Sequence, residues 1–182
     1  MVTLQEPLEI TPGVGIGPYR IGMPAAEVLA ILQIPLLEAG FFSMYSPRCV
    51  SYRDPARGLV VDVDVRVGLC FKIKARAGFT GKTSQGISLN MKASDALQLD
   101  NSLYLDDFYG TLESKIFPGY YIELDDPDPL PGKFNHLPVV GIGVTNPSFF
   151  RELEKSDLSN LKEANGLRYR MLEYYLASKA AS

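Results

Sequence analysis

The chain has 182 residues, 46% hydrophobic and 21% charged, which is typical of one globular domain or of two small domains that share a core. A formal net charge of −3 argues against general binding to nucleic acid. Two cysteines are too few for a disulfide framework or a cysteine-based metal site, so we expect buried free thiols in a reducing compartment.

The first ten residues, MVTLQEPLEI, contain neither a positively charged start nor a long apolar run, so they do not predict a signal peptide. No stretch approaches the roughly 20 apolar residues that a membrane-spanning helix needs. We therefore expect a cytoplasmic protein that has no membrane partner.

A glycine-rich stretch and a helix come first, after a lead-in over Leu4–Ile10 that could form an edge strand. The glycines at positions 13, 15 and 17 have the spacing G-x-G-x-G, which is not the G-x-G-x-x-G of a dinucleotide loop, and they predict a tight backbone bend. Pro24 suits the first turn of a helix because it has no N–H to leave unpaired. The pattern predicts a helix that runs to Leu32 and ends before Pro35.

A weaker copy of this stretch recurs at an offset of 68 residues, over Gly86–Leu99. In this alignment Met23 matches Met91 and Leu29 matches Leu97. We therefore predict an α+β protein with two pseudo-repeat units, each a short helix packed on antiparallel strands. The units span residues 1–77 and 78–147 of one compact globule, and the leucine spacing of residues 148–182 predicts a C-terminal helix.

After residues 36–50, which we predict to be irregular, alternating apolar and charged residues predict a two-stranded hairpin over Leu59–Arg76. A three-residue turn over Val67–Leu69 would match the apolar faces of the two strands. In that register Asp64 faces Lys72 and Asp62 faces Lys74. Each carboxylate then has a lysine partner, which favours a structural role for the aspartates over a metal or acid–base site.

Residues 78–83, GFTGKT, resemble a phosphate-binding loop only in part. The glycine that the motif needs five residues before Gly81 is replaced by Arg76, and no long helix follows, so we reject an ATPase or GTPase. Further strands are predicted at Thr111–Ile116, Tyr120–Leu124 and Val139–Thr145, with a proline-rich polar loop over residues 125–133.

No catalytic motif is present. His136 is the single histidine, so a two-histidine metal site is excluded, and G-x-S-x-G, H-E-x-x-H and C-x-x-C are all missing. We expect no catalytic residue, no metal and no cofactor. An enzyme that works with carboxylates alone stays open as a minor alternative, because two acids can serve as acid and base without any motif.

Charge is unevenly distributed along the chain. Six cations and no acid lie in residues 65–92, whereas residues 101–130 carry seven acids and one lysine. The two segments could be solvated faces that attract each other, or the acidic one could bind a basic partner, with tyrosines as anchors. The second hypothesis assigns ten partner-binding residues: Tyr104, Asp106, Asp107, Tyr109, Tyr120, Tyr121, Glu123, Asp125, Asp126 and Asp128.

The stretch G-x-G-I-G-x-Y-x-I-G-M-x-x-x-E-V-L, the hairpin and the G-I-S-L-N-M segment resemble small bacterial proteins of the toxin-immunity type, over roughly residues 10–145. The glycine–strand–helix–sheet units also resemble the modules of beta-lactamase inhibitor protein and of small outer-membrane lipoproteins. Pro24 stands where such openings usually have serine, and a lipoprotein signal is missing.

This resemblance implies an immunity protein that binds a cognate bacterial toxin, such as a nuclease, and covers its active site. It implies no catalytic residues. The alternative is a domain that binds a small molecule or a peptide in a cleft between the two units. The oligomeric state stays undetermined at this point.

Overall fold

The structure is a computed structural model, which describes residues 8–32, 42–44 and 49–149, with the backbone alone for residues 42–44. In these residues the protein is mostly β, with two short helices. The predicted α+β class is therefore correct only in that helices and antiparallel strands occur together. The helices are α1 (Ala25–Leu32) and α2 (Ala93–Leu99). The strands are β1 (Glu9–Thr11), β2 (Gly15–Ile16), β3 (Tyr19–Arg20), β4 (Phe42–Met44), β5 (Cys49–Asp54), β6 (Leu59–Asp64), β7 (Leu69–Ala75), β8 (Lys82–Thr83), β9 (Leu103–Asp106), β10 (Thr111–Ser114), β11 (Tyr120–Leu124) and β12 (Val139–Thr145).

The strands form two sheets. The large sheet is antiparallel throughout and has the order β4-β5-β6-β7-β12-β11-β10-β9. The small sheet has the order β3-β2-β1-β8 and is mixed, because β1 and β8 run parallel. Neither described helix is long and apolar enough to cross a membrane.

The large sheet consists of two four-stranded meanders, β4–β7 and β9–β12, which meet where β7 pairs with β12. Equivalent backbone hydrogen bonds connect the residues around each helix start to the residues at or just before the start of the last strand of the same meander. Ala25 donates to Gly68 and Cys70 donates to Met23 in the first half, and Ala93 donates to Leu137 and Val139 donates to Met91 in the second. The residues that matched at the 68-residue offset thus make matching contacts.

The hydrophobic core lies on one face of the large sheet, against α1, α2 and the small sheet. Its centre is a row of fully buried residues on five neighbouring strands. These residues are Leu59, Ala75, Ile142, Ile122 and Leu112, and each is the cross-strand partner of the next. Burying a leucine or isoleucine side chain contributes about 1.5–3 kcal/mol, so this row fixes which face of each strand points inward.

The predicted β6–β7 hairpin forms, but its predicted register is wrong. Asp62 pairs with Lys72, and Asp64 pairs with Leu69. The cause is a bulge between Asp62 and Val63, which leaves Phe71 as an extra residue on β7, together with a turn over residues 65–68 in place of the predicted Val67–Leu69 turn. Counting alternation alone could not find the bulge, because both strands keep their alternation on either side of it.

Other predictions have mixed outcomes. The tight bend is confirmed, since Gly13 and Gly17 adopt positive φ in the turns that join β1, β2 and β3. The bounds of β11 and β12 are as predicted, whereas the prediction that residues 36–50 are irregular missed β4 and the start of β5. Of the predicted C-terminal helix, residues 150–182 lie outside the described residues.

Candidate protein-binding surface

The turn between β9 and β10 presents two exposed aromatic side chains, which we call the aromatic tip. Phe108 is 85% exposed and Tyr109 is 65% exposed. Their rings pack edge to face with centroids 4.8 Å apart. The carboxylate of Asp106 accepts the N–H groups of Phe108 at 2.9 Å and of Tyr109 at 3.1 Å, which holds the turn in one conformation.

A second loop, residues 125–128 after β11, lies against this turn, and we call it the acidic loop. Gly110 has a φ of +64°, and a side chain there would collide with the backbone of Pro127 and the ring of Pro129. The carboxylate of Asp126 accepts the N–H of Asp128 at 3.0 Å. The aromatic tip and the acidic loop therefore form one continuous surface.

A cleft of about 390 Å³ opens between these two loops and the end of the large sheet. Its lining combines one aromatic ring with apolar and charged side chains. The residues that line it are Arg76, Tyr109, Gly110, Thr111, Glu123, Leu124, Asp125, Asp126, Pro127 and Val140. Four of the ten predicted partner-binding residues, Tyr109, Glu123, Asp125 and Asp126, thus share one cavity.

Glu123 is held by the protein's own cations. Its carboxylate lies 2.5 Å from the ammonium of Lys74 and 2.5 Å from the guanidinium of Arg76. These two ion pairs join β7 to β11 across β12. The hypothesis that the basic and acidic segments attract each other is confirmed at this point, and Glu123 acts here as an internal partner.

Tyr121 lies flat across the neighbouring strand. Its ring occupies the space that a side chain at Gly143 would need, and the ammonium groups of Lys72 and Lys74 lie 5.2 and 6.0 Å from its centroid. Burial raises the pKa of Tyr121, and burial followed by the charge of Lys74 lowers the pKa of Lys72. The centre of this face is therefore a packed layer of ring and lysine.

On the outer strands of the same face, Glu113 pairs across the sheet with Tyr104 and Tyr121. Burial raises the pKa of Glu113, and the nearby charge of Asp106 raises it further. Lys115 lies 5.7 Å from the ring centroid of Tyr104. This side of the sheet is therefore acidic and aromatic, like the two loops next to it.

The remaining predicted residues are dispersed. Tyr104, Asp107 and Asp128 are exposed, and Asp106 is half-buried beneath the aromatic tip. Tyr120 is 1% exposed and lies in the core, so it cannot make direct contact with a partner. Sequence reasoning overlooked Phe108 and Arg76. Phe108 could have been predicted to be exposed, because it is a large apolar residue within the polar turn sequence DDFYG, which does not face the core.

No group of three metal-binding side chains occurs in the part of the chain that the structure describes. Cys49 and Cys70 are buried and form no disulfide, as predicted, and burial raises the pKa of Cys70 to about 12. His136 is exposed in the loop before β12. The buried carboxylate of Asp54 is bound by Tyr19 and Arg57.

No protein-family model matches the chain, and no curated protein matches it. Among solved structures, the chain is similar to the crystal structure of the uncharacterized protein YfeY from Escherichia coli, with a TM-score of 0.48 and 12% sequence identity. The match covers 78% of this chain and 100% of the other.

Proposed function

We propose that this is a binding protein of the immunity type, which neutralises a bacterial toxin by covering the toxin's active site. The observation that carries the proposal is the aromatic tip beside the acidic loop. A phenylalanine that is 85% exposed on a rigid turn has no role in the core, and aromatic side chains are enriched among the anchors of protein interfaces.

The charges next to the tip favour a basic partner, such as a nuclease. Asp107 and Asp128 are exposed beside Asp125 and Asp126, and none of the four makes an ion pair in the described residues. Unpaired surface carboxylates accelerate association with a positively charged surface. An interface of about 1,600 Å² would be enough for stable binding.

The proposal includes the architecture and the cellular setting that the sequence suggested. The two meanders would be pseudo-repeat units over residues 1–77 and 78–147, as the equivalent hydrogen bonds near Met23 and Met91 support. The protein would act by binding and not by catalysis. It would work in the cytoplasm, where the thiols of Cys49 and Cys70, which form no disulfide, stay reduced.

A capture experiment with three baits tests the proposal. The baits are the wild-type protein, a Phe108→Ala/Tyr109→Ala double variant, and Ile116→Ala as the matched control. Ile116 is 64% exposed and follows the opposite end of β10, so its replacement removes exposed apolar area away from the aromatic tip. Proteins retained from a lysate of the producing organism are identified by mass spectrometry, purified, and assayed for a toxic activity that the bait inhibits.

We expect the wild type and Ile116→Ala to retain and inhibit the same basic protein. The double variant should bind it at least about 30-fold more weakly, which corresponds to the roughly 2 kcal/mol that defines an interface hot spot. Equal binding by all three baits would show that this surface is not the interface. If no protein is retained, the immunity function is rejected.

Binding of a small molecule or a peptide is the second candidate, and the cleft beside the aromatic tip is the observation that favours it. Its 390 Å³ falls within the range of about 300–1,000 Å³ that ligand sites occupy. Arg76 and Glu123, which come from the two halves of the chain, both line it. Native mass spectrometry of the purified protein tests this function, because a ligand carried through purification adds a discrete mass.

A further inference from the structure

We propose that β9 is a docking edge of the large sheet, where an extended segment of the protein partner, with alternating apolar and basic residues, is added as a further strand. This inference rests on the proposed function and names the binding mode and the chemistry of the partner segment. In strand addition, backbone hydrogen bonds supply the affinity and alternate side chains supply the specificity.

The backbone of β9 has hydrogen-bonding groups that point away from the sheet. β9 pairs with β10 in a regular antiparallel register over all four of its residues. The N–H of Lys115 donates to the C=O of Ser102 at 3.0 Å, so the pair that precedes Leu103 is hydrogen-bonded. Such pairs alternate with non-hydrogen-bonded ones, to which Leu103 and Leu105 therefore belong. The C=O of Leu103 and both backbone groups of Leu105 thus face the outer edge, where no described strand lies.

The other strand edges in the described residues are shorter than β9. The edges of the small sheet are β3 and β8, which have two residues each and carry Arg20 and Lys82. β4, at the other end of the large sheet, has three residues. Short edge strands, lysines, prolines and bulges are the devices by which proteins prevent further pairing. β9 has the sequence LYLD and a ladder without a bulge, so it lacks these devices.

The side chains of β9 determine the pattern that an added strand needs. Leu103 and Leu105 pack against the core, and Leu105 is only half-buried. Tyr104 lies on the other face and is 37% exposed. Residues directly opposite each other in a ladder share a face of the sheet. Every second side chain of the added strand would therefore extend the apolar layer beside the leucines, and the others would lie beside Tyr104 and Asp106.

The charge around β9 favours basic residues at those other positions. Residues 100–114 contain no cation and four acids, which are Asp100, Asp106, Asp107 and Glu113. None of the four makes an ion pair within the described ranges. Lys115 is the next residue along the chain and lies over the ring of Tyr104. A second copy of this chain would bring like charges together, so the charge favours a basic strand of a different protein over pairing of β9 with itself.

The test uses a synthetic strand and needs no partner protein. The probe is an acetylated and amidated heptapeptide in which four lysines alternate with three valines, and its charge-reversed control has glutamate in place of lysine. Both are titrated into the 15N-labelled protein. We expect saturable shifts of the Leu103 and Leu105 amides with the lysine peptide and none with the glutamate peptide. The Leu105 amide should also exchange with solvent at least 10-fold more slowly in the saturated complex.

N-methylation of the peptide separates strand addition from binding by charge alone. One peptide is N-methylated at its three valines and the other at three of its lysines, so both keep every side chain and every charge. Because the N–H groups that face a neighbouring strand recur at every second residue, only one of the two peptides should lose binding. We expect that loss to be at least about 10-fold, which corresponds to about 1.4 kcal/mol. Equal affinity of the two methylated peptides would overturn the inference.

Leu105→Pro is the matching change in the protein, with Leu105→Ala as the control for the lost side chain. Proline removes the N–H that faces the outer edge and leaves the hydrogen bonds to β10 in place. We expect Leu105→Pro to lose at least 10-fold in affinity for the lysine peptide and Leu105→Ala to lose less than 3-fold. If the proline variant does not fold, the N-methylated peptides still decide the question. A wild-type dimer in sedimentation equilibrium that the proline variant dissociates would assign the edge to a second copy and overturn the inference.

The two proposals fail in different ways. If the lysine peptide does not bind but the Phe108→Ala/Tyr109→Ala bait loses its partner, the immunity function stands and strand addition at β9 is wrong. If the peptide binds along β9 and no protein is captured, the immunity function is rejected, and so is the protein partner as the source of the strand. β9 would then be the docking edge for a free basic peptide.

Discussion

Tyr19→Phe is a sharp test of how the first half of the protein is held together. The hydroxyl of Tyr19 donates to Asp54 Oδ2 at 2.8 Å, and Arg57 donates to the same oxygen at 2.7 Å. Asp54 is only 3% exposed, so these two donors replace the water that its carboxylate loses on folding. Hydrogen bonds to charged groups contribute about 1.5–3 kcal/mol, and we expect Tyr19→Phe to lower the free energy of unfolding by about 2 kcal/mol.

The cost of Asp54→Ala should be larger, because it leaves both donors without their acceptor. Breaking a buried ion pair costs about 3–5 kcal/mol, and we expect the lower end because 28% of the Arg57 side chain is exposed and can reach water. Urea unfolding of the two single variants and of the double variant gives the coupling energy between positions 19 and 54. A coupling below about 0.5 kcal/mol would refute this reasoning, whatever the single variants cost.

Three further predictions concern the sheet face and the response to pH. Gly143→Ala forces the ring of Tyr121 to move and should cost about 1–3 kcal/mol by urea unfolding, but little in a Tyr121→Ala background, where the ring is absent. Glu113→Gln should stabilise the protein at pH 7 by roughly 0.5 kcal/mol or less, because the fold raises the pKa of this carboxyl group and so disfavours its charged form. The stability of the wild type should therefore increase as the pH falls through that pKa, and the variant should not show this increase. Above about pH 10, unfolded tyrosines ionise while Tyr19 and Tyr121 stay neutral in the fold, so denaturant titrations should show stability falling by about 1.4 kcal/mol per pH unit for each tyrosine so buried.

The strands that were predicted well carry long apolar signals of their own. Val139–Thr145 is a run of β-branched residues and glycines between loops, and its bounds agree with the structure. Cys49–Asp54 also alternates, with Val50, Tyr52 and Asp54 buried, but its polar residues hid the pattern. The register of the β6–β7 hairpin failed for another reason, because the bulge beside Asp62 arises from backbone geometry that side-chain alternation does not encode.

The candidate site was predictable as a region but not residue by residue. The acidic, tyrosine-rich segment folds into one contiguous surface, yet Tyr120 and Tyr121 are adjacent in sequence and point to opposite faces of β11. Alternation with Ile122 and Leu124 would have assigned Tyr120 to the core. Arg76 could not be found this way, because pairing of β7 with β12 brings it to Glu123 from 47 residues earlier in the chain.

The ion pairs place cations of the basic segment beside carboxylates within a protein whose net charge is −3. Arg66 lies beside Asp64, and Lys74 and Arg76 both contact Glu123, so cations of the basic segment are used within the fold. The aspartates of the acidic loop are left to set the local field. In the proposed complex, exposed charges would act within a Debye length of about 10 Å at 0.1 M salt, so this field would favour a basic partner at short range, and the aromatic tip would set how long the partner stays bound.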